Sequence, residues 1–423
     1  MLLIRFLRDR KASVAPMLAL LSIPLIGFVG VAVDYSNATS VRTSMQAALD
    51  ATALMLSKNA GSLNQTQLQT SANNYFFANF NRPEALNTTV SAQYSAQTTG
   101  SAVTVTATAS VQTKILGRLG FSTIDIGSTS SVNWSNTRLR VALVLDNTGS
   151  MAQSGKMDAL KTASKNLLTQ LKNAAQVDGD VYVSIIPFGK DVNVGSNNYP
   201  STWIDWTDWD AANGTCSKSS HHSQSSCTSS GGTWTPNNHS TWNGCVTDRD
   251  QNYDTLNSSP GAGAQFPAEQ YSSCNVSMMP LSYDWTALNA KIDAMSPAGN
   301  TNQAIGLAWG WQSLSQTDPL NAPALDPNYT YQQVIILLSD GLNTQDRWYS
   351  SANPIDNRQK TTCSNIKSAN IMIYTVLVMS GDSTVLQNCA TDSSRYFALT
   401  NANQIITTFN QIGTSLARLH ITH

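Results

Sequence analysis

The feature that most constrains the fold of this chain is an uncharged, apolar stretch near its N-terminus, Ala12 to Val33. At about 1.5 Å per residue, a helix of this length crosses the hydrocarbon core of a bilayer, which is about 30 Å thick. Asp34 follows the stretch, and four basic residues precede it: Arg5, Arg8, Arg10 and Lys11. Because basic residues flank the cytoplasmic end of membrane helices, the pattern predicts a cytoplasmic N-terminus and an exported remainder.

A cleaved secretory signal peptide is the alternative interpretation of this segment. Signal peptides have a shorter apolar core and end in small residues at the cleavage site, and Val31-Ala32-Val33 fits such a site poorly. Pro16 and Pro24 weaken a helix in water, but membrane helices tolerate proline. We therefore expect residues 1–35 to form a basic tip and an uncleaved, single-pass anchor.

Composition narrows the functions that the exported part can have. Charged residues make up 12% of the chain, about half the usual share, and 25 basic residues nearly balance 26 acidic ones. A net charge of −1, with no basic cluster after residue 11, argues against nucleic-acid binding. Glu84 and Glu269 are the only glutamates in the sequence, so an acid–base pair of two glutamates is not expected.

Residues 36–136 have the pattern of a small α+β region. Apolar residues recur with a helical period up to Met55, and a second helix is predicted from Gln65 to Phe80. Three β-rich runs follow between residues 88 and 134, and the middle run alternates apolar and polar residues. A long membrane-rooted helix followed by a small antiparallel sheet has the outline of a pilin or pseudopilin.

Three short polar motifs lie at the ends of predicted strands or helices after residue 137. Asp146-Asn147-Thr148-Gly149-Ser150 and Ser339-Asp340-Gly341 each follow an apolar run, and Gly299-Asn300-Thr301-Asn302 opens a predicted helix. Open α/β sheets bind ligands at such strand ends. We therefore expect five residues to share one metal site: Asp146, Thr148, Ser150, Thr301 and Asp340.

The oxygen atoms of these side chains suit a hard divalent cation. Mg²⁺ prefers an octahedron of oxygen ligands and retains several waters. The carboxylates of Asp146 and Asp340 would balance its charge, and the three hydroxyls would add neutral ligands. A remaining coordination position would accept an acidic side chain of a partner protein. These residue types favour Mg²⁺ but leave Mn²⁺ and Ca²⁺ open.

The same motifs resemble the metal-ion-dependent adhesion site of von Willebrand factor A domains. Asp146–Met151 is similar to the DxSxS motif, here DxTxS, and the segments at Thr301 and Asp340 are similar to the family's Thr loop and second Asp loop. The resemblance implies a doubly wound, Rossmann-like α/β domain over residues 137–423 that binds proteins through a divalent metal. No histidine near Ser150 would activate it as a nucleophile, so we predict no catalytic residue and no enzymatic activity.

Further segments resemble TadG-like proteins of the tight-adherence, or Flp, pilus-assembly system. They are Arg8–Lys11 with the proline-containing span, Val33-Asp34-Tyr35, and the segments 242–250 and 306–311. The resemblance implies a bacterial inner-membrane protein whose A domain lies in the periplasm or at the surface. Its partners would be other pilus-assembly or pilin proteins. No glutamate precedes Glu84, so the glutamate that type IV pilins carry after their cleavage site is missing.

A Ser-, Asn- and Gly-rich insertion, about residues 192–283, interrupts the A domain. A loop of this length without secondary structure would be unusual. We expect a small disulfide-stapled subdomain there, with three pairings open to its four cysteines: Cys216, Cys227, Cys245 and Cys274. No CxxC spacing occurs, which argues against zinc. Cys363 and Cys389 are predicted to pair, because their helices flank one strand and an exported compartment favours oxidation.

Trp203, Trp206 and Trp209 of the insertion have two interpretations. If they are exposed beside polar residues, they would form a glycan-binding platform, and the protein would be a surface adhesin for glycans or host proteins. If they are buried, they would form the core of the insertion. Our main hypothesis is a non-enzymatic factor that assembles or anchors pili, and the adhesin is the alternative.

Overall fold

The computed structural model describes residues 14–421 except 98–99, 135–136, 176, 262, 328 and 380. The chain divides into two compact units at residues 135–136. Each unit has its own hydrophobic core. The predicted basic tip, residues 1–11, lies outside the described residues.

The first unit begins with a helix of 44 residues, α1 (Val14–Ser57). Its N-terminal part presents an apolar surface without protein cover, and Phe28, for example, is 77% exposed. Among the residues that the structure describes, α1 is the one helix long and apolar enough to cross a membrane. After Asp34 the pattern changes, since Met45 and Leu49 are fully buried. The predicted N-terminal apolar helix is therefore present, and its second half belongs to a protein core.

A second helix and three strands complete this unit: α2 (Gln65–Asn79), β1 (Ala85–Gln97), β2 (Gly100–Gln112) and β3 (Thr123–Trp134). Asn64 and Gln67 form a capping box that starts α2. The sheet is antiparallel with β2 in the middle. Residues of β2 alternate between buried and partly exposed, and the buried set, which includes Val103 and Val105, packs with both helices.

Glutamine side chains of α2 cover the outer edge of β1. Gln69 Nε2 donates to the carbonyl of Val90 at 2.9 Å, and Gln69 Oε1 accepts from the backbone N–H of Ala92 at 3.1 Å. Gln65 Nε2 donates to the Ala92 carbonyl at 2.9 Å. An open strand edge would pair with other chains, so these bonds protect the sheet against strand addition there.

The second unit is a mixed α/β domain. Its strands are β4 (Thr137–Asp146), β5 (Val181–Phe188), β6 (Val192–Asn193), β7 (Ile204–Asp205), β8 (Gly214–Cys216), β9 (Trp234–Pro236), β10 (Cys245–Val246), β11 (Phe266–Glu269), β12 (Met279–Ser282), β13 (Thr330–Ser339), β14 (Met372–Val378) and β15 (Tyr396–Leu399). Its helices are α3 (Lys156–Ala174), α4 (Thr207–Ala212), α5 (Gln224–Ser229), α6 (Trp285–Asp293), α7 (Gln303–Gln312), α8 (Ala352–Ser368), α9 (Ser383–Cys389) and α10 (Asn403–Ile421).

Five parallel strands in the order β15-β14-β13-β4-β5 form the centre of this domain. The side chains of β4 alternate between two cores: Val141 and Leu143 pack with α3, α6 and α10, whereas Ala142 and Val144 pack with α7, α8 and α9. Helices therefore cover both faces of a parallel sheet, which is the predicted doubly wound arrangement.

The insertion differs from the predicted subdomain, because it does not have a separate core. Its strands β6, β10, β11 and β7 extend the central sheet beyond β5. Trp203 and Trp242 lie in the same apolar cluster as Trp309 of α7 and Ile335 of β13. Packing these large aromatic side chains against the existing sheet removes their apolar surface from water.

Three disulfides lie in the second unit. Two staple the insertion, Cys216–Cys227 and Cys245–Cys274, with Cα–Cα distances of 5.7 and 5.8 Å. The third joins Cys363 of α8 to Cys389 of α9, with a Cα–Cα distance of 5.0 Å.

Candidate metal site

Three loops meet at the carboxyl ends of the central strands. Asp146 is the last residue of β4, and Asp340 follows the last residue of β13. These two strands are adjacent and parallel, with Leu145 opposite Leu338, so both aspartates reach the same edge of the sheet, one residue apart. The third loop, residues 299–302, leads into α7.

Hydrogen bonds connect four of the five predicted ligands. Asp146 Oδ1 accepts from the backbone N–H of Thr148 at 2.9 Å and from its hydroxyl at 2.6 Å. The hydroxyls of Thr148 and Ser150 lie 3.1 Å apart, and Ser150 Oγ donates to Asp340 Oδ1 at 2.6 Å. Ser339 Oγ donates to Asp146 Oδ2 at 2.6 Å. The two carboxylates thus lie in one continuous cluster of oxygen atoms.

The fifth predicted ligand, Thr301, is positioned by its backbone. Its N–H donates to Thr344 Oγ1 at 2.8 Å, and its carbonyl accepts from the N–H of Thr344 at 2.9 Å. The carbonyl of Gly299 accepts from the N–H of Gly149 at 3.0 Å. The Thr301 loop is therefore fixed against the other two loops. The assignment of the Thr301 hydroxyl to the site rests on the sequence motif, whereas hydrogen bonds connect the hydroxyls of Thr148 and Ser150 to the aspartates.

Both carboxylates of this cluster are buried, which raises the free energy of their charged forms. Asp146 and Asp340 are 0% and 1% exposed. Burial raises the pKa of Asp146 to about 6, and repulsion from Asp340 adds to the effect, whereas bonds from Ser339 and Thr148 oppose it. Ser150 is exposed, so the cluster opens to the surface on one side. Two carboxylates held together under an open mouth favour a bound cation.

A lysine that sequence reasoning missed also contacts the cluster. Lys156 is the first residue of α3, and its ammonium group donates to Asp340 Oδ2. Its side chain is 8% exposed. Its position at the start of the helix could have indicated this contact. The helix dipole disfavours a cation at the N-terminus, so a lysine there suggests a nearby anionic partner. One ammonium group against two carboxylates still leaves an excess of negative charge.

The residues present fit a small divalent cation by their donor chemistry. Two carboxylates and two hydroxyls supply hard oxygen atoms of the kind that Mg²⁺ binds, and waters would fill the remaining positions. In the described part of the chain, no group of three or more His, Cys, Asp or Glu residues is arranged to hold a metal. A cation held by Asp146 and Asp340 would therefore need hydroxyl oxygens as further protein ligands.

The insertion holds two of the metal-site loops in place, which sequence reasoning also missed. Asp248 Oδ2 accepts from Asn302 Nδ2 at 2.8 Å and from the backbone N–H of Arg347 at 3.2 Å. The Arg347 guanidinium in turn donates to Asp250 at 3.0 Å and to Asp208 at 2.7 Å. Burial raises the pKa of Asp248 to about 7, with repulsion from Asp346 as the next cause.

Of the two interpretations of Trp203, Trp206 and Trp209, burial holds for two of the three side chains. Trp203 and Trp209 are 7% and 2% exposed and belong to the domain core. Trp206 is partly exposed, but His239 stacks on it with ring centroids 3.8 Å apart, and His239 Nε2 lies 2.7 Å from Asp210 Oδ1. The three side chains therefore do not form one exposed aromatic face, because Trp203 and Trp209 pack in the core beside the sheet.

A comparison with protein families identifies the N-terminal segment. Residues 12–55 match the Tad family, described as Flp pilus-assembly TadE/G-like. The predicted resemblance to this pilus-assembly family is therefore confirmed for these residues. No curated protein has a sequence that matches this chain.

Solved structures with a similar fold include two pilus proteins and a byssus protein. Pilus adhesin SpaC of Lactobacillus rhamnosus GG is 13% identical, with a TM-score of 0.38, and the match covers 81% of this chain and 36% of SpaC. The vWF domain of the type V pili tip protein Mfa5 of Porphyromonas gingivalis is 11% identical, with a TM-score of 0.39. The match covers 67% of this chain and 96% of the Mfa5 domain. Proximal thread matrix protein 1 of the mussel byssus, in a structure with a zinc-occupied MIDAS motif, is 14% identical, with a TM-score of 0.34, covering 66% and 46%. This chain spans less than half of SpaC and of the byssus protein.

Proposed function

We propose that this protein is a non-enzymatic, membrane-anchored factor that assembles or anchors a Flp-type pilus. In this proposal, Asp146, Thr148, Ser150, Thr301 and Asp340 hold a divalent cation, and the cation binds an acidic side chain of a pilus-assembly or pilin protein. The observation that carries the proposal is the convergence of two buried carboxylates and two hydroxyls at one open edge of the parallel sheet.

The chain's own residues would prepare the site in three ways. The backbone and hydroxyl of Thr148 orient Asp146, and Ser339 holds its second oxygen. Ser150 links Asp340 to the first loop and faces solvent. A bound cation would supply an open coordination position for a carboxylate oxygen of the partner. Mg²⁺ suits this donor set, and Mn²⁺ or Ca²⁺ are the alternatives to be tested.

The location we propose is the bacterial inner membrane, with the N-terminus in the cytoplasm and both units outside it. The uncovered apolar surface of α1 supports a single span, and the basic residues before it support this orientation. The Tad match of residues 12–55 covers the same segment and supports a role in pilus assembly.

The first prediction tests the metal ligands. Asp146→Ala removes one of the two carboxylates that would balance the cation, so Mg²⁺ binding should fall by at least about tenfold, or ~1.4 kcal/mol. The matched control is Asp178→Ala, which removes an exposed carboxylate from a loop of the same unit. Isothermal titration of the full-length protein in detergent with Mg²⁺, Mn²⁺ and Ca²⁺ gives the affinities. Equal binding by the wild type and Asp146→Ala would contradict the site.

The same variants separate assembly from adhesion in cells. A strain that lacks the gene is complemented with the wild type, Asp146→Ala or Asp178→Ala, and its pili are counted by electron microscopy. We expect pili with the wild type and the control but not with Asp146→Ala. Normal pili with lost surface attachment would instead favour the adhesin.

A further inference from the structure

The loop between β2 and β3, residues 113–122, is fixed to α1 where the apolar surface of that helix ends. Asp34 Oδ1 accepts from the backbone N–H of Lys114 at 2.9 Å. Asp34 Oδ2 accepts from the N–H of Ile115 at 2.9 Å and from that of Leu116 at 2.8 Å. These N–H groups start a short 3-10 turn, Leu116–Leu119, so the carboxylate satisfies donors that the turn leaves free. The bonds set the height of the loop along α1.

Part of the loop lies beside α1 on the N-terminal side of Asp34, next to the apolar stretch of the helix. Ile115 packs on Gly30, where a side-chain Cβ would lie only 3.0 Å from Ile115 Cβ and would overlap its Cγ2. Gly30 precedes Asp34 by one helical turn, about 6 Å along the axis, and belongs to the uncharged stretch that ends at Val33. The glycine is therefore the position that lets the loop descend beside the apolar surface of α1.

The exposed side chains of the loop fit the boundary between lipid and water. Phe121 is 67% exposed, which is unusual for a phenylalanine in water. Lys114 and Arg118 are exposed on the same short loop. Aromatic rings favour the headgroup level of a bilayer, and basic side chains there reach lipid phosphates. The loop is closed at its base, since Thr113 Oγ1 donates to the carbonyl of Phe121 at 2.6 Å.

We propose that residues 113–122 are a second membrane contact, a foot that rests in the headgroup layer of the bilayer that α1 crosses. Lys114 and Arg118 contact phosphate groups, and Phe121 enters the outer ends of the acyl chains. The foot holds the first unit at a fixed height and orientation on the exported face of the membrane. The inference rests on the proposed membrane anchoring, and it adds a lipid-binding surface outside the helix.

Site-directed spin labelling tests the foot in the full-length protein, reconstituted in nanodiscs of phosphatidylethanolamine and phosphatidylglycerol. All six native cysteines form disulfides, so one added cysteine takes the label. Ser122→Cys reports on the foot and keeps Phe121. Val29→Cys reports on the exposed face of α1. Gln93→Cys is the control on the sheet, because its neighbour Tyr94 lies next to Gly61, which follows the C-terminal end of α1 and is far from the apolar surface of that helix. Each label is tested for collision with oxygen, which enters lipid, and with a water-soluble nickel chelate.

The expected result is a lipid-type collision ratio at positions 122 and 29 and an aqueous ratio at position 93. Phe121→Ser in the Ser122→Cys background should shift position 122 towards the aqueous ratio while position 29 is unchanged. An aqueous ratio at position 122 with a lipid ratio at position 29 would overturn the foot and leave the anchor intact. Aqueous ratios at both positions would overturn the membrane anchor, and the foot with it.

Discussion

Lys156 is the residue whose role differs most from what the metal motif alone suggests. Its ammonium group donates to one oxygen of Asp340, and Ser150 occupies the other. The lysine therefore neutralises part of the buried charge when no cation is bound. A divalent cation that takes Asp340 as a ligand has to displace this ammonium group or share the carboxylate with it. At the proposed metal site, Lys156 would therefore stabilise the metal-free protein and weaken metal binding.

The second prediction follows from this competition. Lys156→Met keeps the length of the side chain but removes the ammonium group that balances the buried carboxylate of Asp340, which costs about 3–5 kcal/mol of stability in the absence of metal. The same change should tighten Mg²⁺ binding, on the order of tenfold, or ~1.4 kcal/mol. Thermal unfolding in EDTA and isothermal titration measure the two effects. Lys172→Met, an exposed lysine on the same helix, is the control. Weaker Mg²⁺ binding in Lys156→Met would mean that the lysine shapes the site instead of competing for it.

The placement of Asp146 and Asp340 at one edge of the sheet was predictable from sequence, whereas the contacts that Lys156 and Asp248 make were not. Asp146 and Asp340 follow apolar strands, and parallel strands bring their ends to one edge, so pattern and topology were sufficient. Lys156 and Asp248 lie 184 and 54 residues from the side chains they bind. Which side chain of a helix or insertion turns towards the site depends on tertiary packing, and no local period records it.

At the level of elements, the insertion shows the same limit. Its strands Val192–Asn193 and Cys245–Val246 have two residues each, too few for an alternating pattern. Their pairing with the edge of the sheet was therefore not predictable. Burial of Trp203 and Trp209 was one of the two interpretations, but their place in the core of the sheet, and not in a core of the insertion, was not predictable. The doubly wound centre was predictable, because its strands are long apolar runs separated by helices.

The third prediction concerns the contact between the insertion and the metal-site loops. The pKa of Asp248 is about 7 in the folded protein, above its ordinary value of 3.8. The folded state therefore binds a proton more tightly than the unfolded state between about pH 4 and 7. The contribution of Asp248 to stability is greatest below this range and falls as the pH rises through it, by at most about 4 kcal/mol.

Asp248→Asn should remove the share of this dependence that Asp248 contributes and leave the share of Asp146, because an amide keeps an oxygen for Asn302 and Arg347 but does not ionise. Urea unfolding at pH 5 and pH 8 measures the effect through tryptophan fluorescence. The signal reports mainly on the second unit, because Trp134 is the only one of the 10 tryptophans outside it. Asp250→Asn is the control, since Asp250 binds the same Arg347 but is exposed. An equal loss of stability between pH 5 and pH 8 in the wild type and Asp248→Asn would contradict the assignment.

For the whole molecule, the proposed membrane orientation and the disulfides would both follow from the apolar span near the N-terminus and the basic residues before it. The cysteines of Cys216–Cys227, Cys245–Cys274 and Cys363–Cys389 all follow the apolar span. Disulfides persist in oxidising compartments and are rare in the cytoplasm. If the basic tip keeps the N-terminus inside, the second unit folds outside and its thiols are oxidised. The redox state of the cysteines therefore reports which side of the membrane the second unit occupies.

The last prediction uses this relation. In cells, the wild type should contain no thiol that reacts with a maleimide–polyethylene glycol reagent after denaturation. Changing all four basic residues of the tip to Glu removes the retention signal, so a large fraction of the chains should stay inside or insert inverted, with six reactive thiols. The control changes Arg42 and Lys58 to Glu, which alters charge after the span and should leave the thiols oxidised, since acidic residues there suit an exported segment. Gel mobility counts the attached polymers, and peptide mapping under non-reducing conditions identifies the three pairs. Six reactive thiols in the wild type would contradict export of the second unit, and with it the periplasmic role proposed for the metal site.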